Sequence, residues 1–474
     1  MKLFKNLELH EKKNYLAYEN SISYKQLNNS INFLANKINE HTKSYSKILI
    51  IGDNNIFSYS SILACLKSYR TYIPLSLSTP KKRIEQIIKL TKPSMVLSNS
   101  LKYAKLKNFY FLKKKIFSSQ DNFIATTSKN NIAYIIFTSG SSGIPKGVCI
   151  SRKSLMHFLE WYTKSMKIKN NDRCSQIPQI GFDLSVADIL GNLNSGGNIF
   201  PLKNNFYKLF PQEFLFDNKI SYLVCVPSFI DLFEDTKDPR KKLKYLKKIY
   251  FCGEMLRKHH VEKIFKKKRD IKIINSYGPT EATVSCSEIL LNSENYKNFH
   301  INGMSIGKPI RNMKFFIKKI NGKKNEGELI ISGPQVAECY LNNKELNEEK
   351  FMKKNRKKFY LTGDVVFKKN GHYFFKFRND FQIKIRGYRV ELPEIDNLIK
   401  KKMISLNSFS LFLKGKIITF LYKPKFNKIR IYFFLRKYLP NYMIPNDLVF
   451  LKKIPTNVNG KIDLKKISKN YAKR

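Results

Sequence analysis

Acidic residues are scarce in this chain: 36 Asp and Glu face 88 Lys and Arg, a net charge of +52 over 474 residues. An excess of that size ordinarily marks a protein of nucleic acid or of an anionic surface. Yet no RNP, zinc-finger or helix-turn-helix signature accompanies it, and the lysines run along the whole chain beside Asn and Ile. That is a compositional bias, so no nucleic-acid partner is expected. Cysteine is also sparse: positions 65, 149, 174, 225, 252, 286 and 339 form no C-x-x-C pair and no metal spacing with His. The odd count and mostly apolar settings predict reduced, buried thiols of a cytosolic protein. No apolar run is long enough to cross a bilayer, and the opening MKLFKNLELHEKKN lacks the apolar stretch of a secretion signal. A cytoplasmic protein without stable membrane insertion is expected. The length exceeds one ordinary core and predicts two or more domains.

What is present centres on Ile132 to Val148, IAYIIFTSGSSGIPKGV. An apolar run of strand character breaks into a Ser/Thr/Gly loop that closes on Pro145-Lys146-Gly147. Small residues let backbone N–H groups converge on an anion, with hydroxyls and one lysine completing the cradle. It is not a Walker A loop, because four spacer residues after Gly140 lead to Pro145 where glycine is required. No G-x-G-x-x-G follows a strand, so a nicotinamide dinucleotide has no support. An irregular turn without ligand and a different nucleotide loop both remain open at this point.

Around that loop, strand and helix signals alternate. Tyr24, Leu27, Ile31, Leu34, Ala35 and Ile38 fall at helical spacing, predicting an amphipathic helix within 20–38. Apolar strands are expected at 47–51, 220–226, 248–251 and 271–274, and helices near 62–67, from Pro80, and over 151–162. Trp161 and His157 read as packing residues of the last. The alternation predicts α/β layers with mostly parallel strands. Polar, glycine-rich loops follow the three strands between 220 and 274, at the edge where open α/β sheets bind ligands. Asp183 has two readings: N-cap of a following helix, or a carboxylate at a pocket mouth awaiting a cation. His259-His260 lacks an Asp at the spacing of a condensation motif. From about 313 short β segments take over: 327–331 is one strand, 333–341 continues it, and Asp364 stands just after a turn, suited to ribose hydroxyls. Polar residues 378–384 suggest a hinge before a smaller C-terminal unit. Lys461 lies in its turn-rich tail, where any one lysine reads first as solvent-facing.

Eight segments taken together change the weight of these readings: TSGSSGIPKG (138–147), FDLS (182–185), YGPTE (277–281), GELIISGPQVAECYL (327–341), YLTGD (360–364), RNDFQIKIRGYRVELPEID (378–396), LPNYMIP (439–445) and NGKID (459–463). In this order and spacing they resemble the adenylate-forming superfamily, over about Tyr24 to Asp463. The resemblance implies an α/β core with a β-rich subdomain over 1–379 and a small mobile α+β lid over 380–474, hinged near Asp380. Within the superfamily the chain is most similar to the amino-acid-activating branch, and FCGE (251–254) with DFQIK and LPNYMIP points to the ligases that load D-alanine onto a carrier protein. Three positions depart from that pattern: Ala187 stands where Met is frequent, Cys339 where glycine is usual, and Phe377 where glycine precedes the arginine.

The roles implied by the resemblance are specific. Thr138, Ser139, Gly140, Ser141, Ser142, Gly143 and Lys146 would hold ATP phosphates, and Glu281 would bind Mg²⁺. Asn275, Tyr277, Gly278 and Thr280 would border the nucleotide, with Asp364 and Arg378 at the ribose. Asp183 would pair with the substrate ammonium, while Cys252 and Val284 would shape a small side-chain pocket. Lys461 would be the catalytic lysine, bridging the substrate carboxylate and the α-phosphate. No phosphopantetheine-attachment motif occurs in the chain, so an acidic, phosphopantetheinylated carrier protein acting in trans is the expected partner. Two alternatives stand beside this: a stand-alone peptide-synthetase-type enzyme for another small amino acid, and a catalytically inactive basic binding protein.

Overall fold

Runs such as KILIIG and TYIPLS are too apolar to be half-solvated strands, and both are buried along nearly their whole length. A strand covered on both faces has that character. The computed structural model describes residues 2–13, 16–19, 21–113, 122–124, 130–140, 143–170, 172–234, 242–320, 325–380, 382–402, 404–455, 463, 466–468 and 471. Among them the two runs pair in parallel, Lys47 opposite Thr71 through Gly52 opposite Ser76. They sit within a seven-stranded sheet whose order is Cys339–Tyr340, Lys146–Ser151, Ile132–Thr138, Thr71–Ser76, Lys47–Gly52, Met95–Ser98, Phe109–Phe111. A nine-stranded sheet carries the strands Arg173–Gln176, Tyr222–Cys225, Lys248–Phe251 and Lys272–Tyr277 as parallel neighbours. Its far edge turns antiparallel at Ser287–Leu291.

Local chemistry places the helices. Ser23 caps the helix Tyr24–His41 in a capping box with Gln26, so the helix begins four residues into the expected window and outlasts it by three. Asn55 and Ser151 cap Ile56–Lys67 and Arg152–Met166 in the same way. Asp183 does not behave as a cap. The short helical turn Leu184–Val186 that follows it receives no side-chain bond from Asp183, whose backbone is already helical.

A five-stranded antiparallel sheet follows, built from Lys314–Lys319, Glu326–Ser332, Phe351–Lys354, Lys357–Lys369 and His372–Arg378. Two expectations are corrected here. Residues 333–341 do not continue the strand Glu326–Ser332. Gly333, at φ +140, turns the chain where an added Cβ would lie 2.7 Å from the Asn312 carbonyl oxygen. The chain leaves for the seven-stranded sheet, which it joins at Cys339–Tyr340. Asp364 does not follow a turn either. It lies within the thirteen-residue strand Lys357–Lys369, where Glu328 faces Val365 and Ile330 faces Leu361. The surplus residues Thr362, Gly363 and Asp364 form a bulge, the device that re-aims a side chain within a ladder.

The chain divides into two compact units, each assembled from several segments, whereas the sequence suggests a single cut between 379 and 380. One comprises Met1–Leu77, Thr91–Phe137 and Gly147–Asn379 and contains the three sheets above. The other comprises Ser78–Leu90, Thr138–Lys146 and Asp380–Arg474. Its core joins Leu392, Ile395 and Ile399 of the helix Leu392–Lys401 to Ile417 and Leu421 of the strand Lys416–Pro424 and to Ile431 and Leu435 of the helix Lys428–Tyr438. No helix among the described residues is long and apolar enough to cross a membrane.

Candidate active site

In the first unit the candidate residues fall at strand ends and at the bulge. Tyr277 ends the strand Lys272–Tyr277, and its hydroxyl donates to Asp364 Oδ2 at 2.5 Å. Arg378, opposite Asp364 in the ladder, ion-pairs with Asp364 Oδ1 and donates to the Thr362 carbonyl at 3.0 Å. Asp364 is thus a buried acceptor fixed from two sides. Burial and the adjacent carboxylate push the Tyr277 hydroxyl well above its ordinary range, so it remains a donor. Asn275 is buried and donates to the Ser305 carbonyl at 2.7 Å. Gly278 admits close approach of backbone, since a Cβ there would lie 2.4 Å from Ser285 Cα.

Past this strand the segment 280–285 gathers the remaining groups. Thr280 Oγ1 donates to Asp183 Oδ2 at 2.7 Å, which ties the Asp183 carboxylate to a loop 97 residues away. Glu281 is fully buried, and its Oε1 accepts from the Tyr340 hydroxyl at 2.6 Å. A buried carboxylate with a neutral donor is suited to a cation, which would supply the compensating charge. Cys252 lies against Val284, with its thiol 3.6 Å from the Val284 carbonyl. Both are buried.

Thr283 and Val284 are β-branched residues at φ 55 and φ 70. Such residues rarely adopt the left-handed region, at a cost of about 1–3 kcal/mol each. Gln335 over-determines the turn. Its amide donates to the carbonyls of Thr283 at 3.1 Å and Ser285 at 2.9 Å, and Thr283 Oγ1 donates to its backbone carbonyl at 2.7 Å. The Gln335 Oε1 lies 3.1 Å from His157 Nδ1, which gives His157 a hydrogen-bonding part beyond packing. Trp161, by contrast, packs on Phe158 while its N–H donates to Glu288 at 2.8 Å.

The loop residues belong to the second unit. Ser139 Oγ donates to the Arg389 carbonyl at 2.8 Å and accepts from the Glu391 N–H at 3.1 Å. The Gly140 N–H donates to Glu394 Oε2 at 3.0 Å, and the other Glu394 oxygen pairs with Arg83 at 2.7 Å. Lys146 is buried against Glu391. Gly140 has no room for a side chain, since a Cβ would meet the Ile144 carbonyl oxygen at 2.1 Å, and Gly143 turns the loop at φ +79. The Thr138 Oγ1 is buried with no hydrogen-bond partner among the described residues. The Gly140 N–H and the Lys146 ammonium are thus both engaged by carboxylates, the behaviour of donors suited to an anion. Asp380 Oδ1 accepts from the Gln382 N–H at 3.1 Å. Ser141, Ser142 and Lys461 lie outside the described residues.

Sequence reasoning missed Gln335, Tyr340, Glu391, Glu394 and Arg83. The first two sit within GELIISGPQVAECYL, where a polar amide amid small and apolar residues was the available signal. Glu391 and Glu394 carried no such signal, because their partners are 245 and 254 residues distant. Arg83 was hidden among lysines. Asp231, His259 and His260 form the one metal-type cluster among the described residues. There His260 Nδ1 accepts from the Arg257 N–H at 3.2 Å, so Nε2 keeps its proton and faces Asp231 as a donor.

Comparison with known proteins identifies the fold and the family. The adenylation domain AlmE of Vibrio cholerae, solved in complex with glycyl-adenosine-5'-phosphate, superposes with a TM-score of 0.83 at 20% identity, covering 100% of this chain and 97% of that one. The o-succinylbenzoate CoA synthetase MenE of Bacillus subtilis gives 0.81 at 16% identity, covering 98% and 97%. The fold is that of the adenylate-forming enzymes. Residues 3–341 match the family of AMP-binding enzymes, and the chain belongs to that family. ATP use follows from that membership. A protein of Lactococcus lactis subsp. lactis named D-alanine--D-alanyl carrier protein ligase is 31% identical, covering 95% of this chain and 94% of its own. Its namesake in Listeria monocytogenes is 30% identical over the same shares.

Proposed function

We propose that this enzyme activates D-alanine with ATP as D-alanyl-AMP and passes the D-alanyl group to the phosphopantetheine thiol of a carrier protein. The observation that carries the substrate and the partner is the full-length similarity to ligases named for both. The pocket supports the reading. Asp183, held by Thr280, offers a carboxylate for the substrate ammonium, and the buried pair Cys252 and Val284 would form the wall facing a small side chain.

In this reading the amino-acid carboxylate attacks the α-phosphate and pyrophosphate leaves. Both reactants are anionic, so positioning and charge stabilisation provide most of the acceleration. The donors of residues 138–146 bind the β- and γ-phosphates, with the unpartnered Thr138 hydroxyl as one ready contact. Asp364, aimed by its bulge and steadied by Arg378, accepts from the ribose hydroxyls, and Tyr277 lies beside the adenine. Glu281 fits Mg²⁺, which when bound offsets phosphate charge. Lys461 bridges the substrate carboxylate and the α-phosphate, and residues 380–474 reorient about Asp380 between adenylation and thiol transfer. The carrier thiol then attacks the acyl carbon and AMP leaves. ATP and a reduced thiol suit the cytoplasm.

One observation favours a second reading. Ala187, fully buried at a position where the D-alanine ligases frequently carry Met, leaves volume for glycine, serine or L-alanine to sit differently. ATP–pyrophosphate exchange over an amino-acid panel decides. D-Alanine is expected to exceed each competitor by about tenfold or more. A preference for an L-amino acid or glycine refutes the D-alanine assignment, and exchange with none of them refutes the enzyme reading.

A further inference from the structure

All seven cysteines are free thiols; six are buried and Cys339 is half-buried. Cys149 lies on the strand Lys146–Ser151, and Cys339 begins the short strand Cys339–Tyr340. These strands run antiparallel with Cys339 directly opposite Cys149 and Tyr340 opposite Val148. Directly opposed residues of antiparallel strands have Cα atoms about 4.5–5.5 Å apart and side chains on one face. A disulfide spans Cα separations of about 4.4–6.8 Å.

Their surroundings differ in a way that sets an order of reaction. Cys339 is only half-buried, with the Lys358 ammonium favouring its thiolate. Cys149 is buried at 3% exposure, and that burial pushes its thiol up. Cys339 is therefore the accessible nucleophile and Cys149 the buried resolving thiol.

We propose that Cys149 and Cys339 form a thiol–disulfide modification site whose oxidant is a low-molecular-weight disulfide. The Cys339 thiolate attacks one sulfur of the small disulfide, the S–S bond breaks, and a small thiolate leaves. The Cys149 thiol gives up its proton to that thiolate, and its sulfur attacks Cys339 Sγ, expelling the second small thiolate. Two protein thiols are oxidised and one small disulfide is reduced. The new bond ties the strand that leaves the glycine–serine loop to the strand whose Tyr340 holds Glu281.

The test uses the full-length protein, incubated with oxidised glutathione near pH 7, alkylated and digested without reduction. A Cys149 peptide joined to a Cys339 peptide is expected as the dominant cross-link, lost on treatment with dithiothreitol. Cys339→Ala, with folding verified by circular dichroism, is expected to leave Cys149 as an alkylated thiol. Recovery of both cysteines unlinked in the wild type, arrest of Cys339 as a glutathione mixed disulfide, or a dominant cross-link to any other cysteine each overturns the proposal. The readout is independent of substrate, so it stands or falls apart from the D-alanine assignment.

Discussion

A single buried amide at position 335 holds open a turn that its own sequence resists. Thr283 and Val284 are β-branched, left-handed and adjacent, and Gln335 satisfies the carbonyls of Thr283 and Ser285. Truncation to alanine leaves those carbonyls buried and unpaired, at about 1–3 kcal/mol each. Gln335→Ala is therefore expected to lower the thermal midpoint and to raise the KM for the amino acid several-fold more than that for ATP. Pyrophosphate exchange with each substrate varied in turn measures this; equal changes in both KM values count against a role in shaping the Cys252–Val284 wall. The same scale shows where sequence reading stopped. Asp183 was legible as a residue of interest, but its side chain bonds Thr280 and not the helix N-terminus, and that choice depends on a loop remote in sequence. A φ of 70 at a valine was not legible either, because nothing local favours it.

Among elements, the loop between Ile132–Thr138 and Lys146–Ser151 has its donors engaged by carboxylates. Glu391 ends the strand Tyr388–Glu391, which forms a hairpin with Gln382–Ile385 and leads into the helix Leu392–Lys401, where Glu394 lies in the first turn. These oxygens and the phosphates of ATP would draw on the same N–H and ammonium groups. Glu391→Gln keeps the shape and removes the carboxylate charge that pairs with Lys146, so ATP is expected to bind several-fold more tightly. Isothermal titration against the wild type reads this, and weaker binding would show that Glu391 serves to position the loop. The same helix carries a pH-sensitive group. Burial pushes Asp396 up to about 6, with the Ser410 N–H and hydroxyl opposing. The folded form then holds a proton that the unfolded chain has released, so this group stabilises most below about pH 4 and that stability is lost as pH rises through about 6. Discounted for its partial exposure the effect is about 1–2 kcal/mol. Asp396→Asn is expected to gain stability relative to wild type by about that amount between pH 4 and pH 7 in urea titrations. A difference independent of pH would remove Asp396 as the cause.

For the whole molecule, the α/β alternation and the strand-end loops were legible because they rest on local periodicity and on glycine, serine and proline at fixed places. The exit of residues 333–341 into another sheet was not, since it turns on one glycine conformation and on a partner strand nearly two hundred residues earlier. Charge is the property that only the whole chain displays. A net +52 is spread over a surface with few acids to offset it, so its field acts beyond any one site. An acidic carrier would be drawn to that surface, and attraction of this kind raises encounter rates more than it raises affinity at close contact. In the proposed reaction ATP and amino acid would instead meet among buried groups, whose interactions salt screens less. Raising salt from about 50 to about 500 mM shortens the Debye length from above 10 Å to a few ångströms. Over that range kcat/KM for carrier aminoacylation is expected to fall about tenfold, while pyrophosphate exchange changes less than about twofold. Parallel losses in both assays would mean that salt acts on the adenylation chemistry itself, and that the basic surface plays no part in bringing the carrier in.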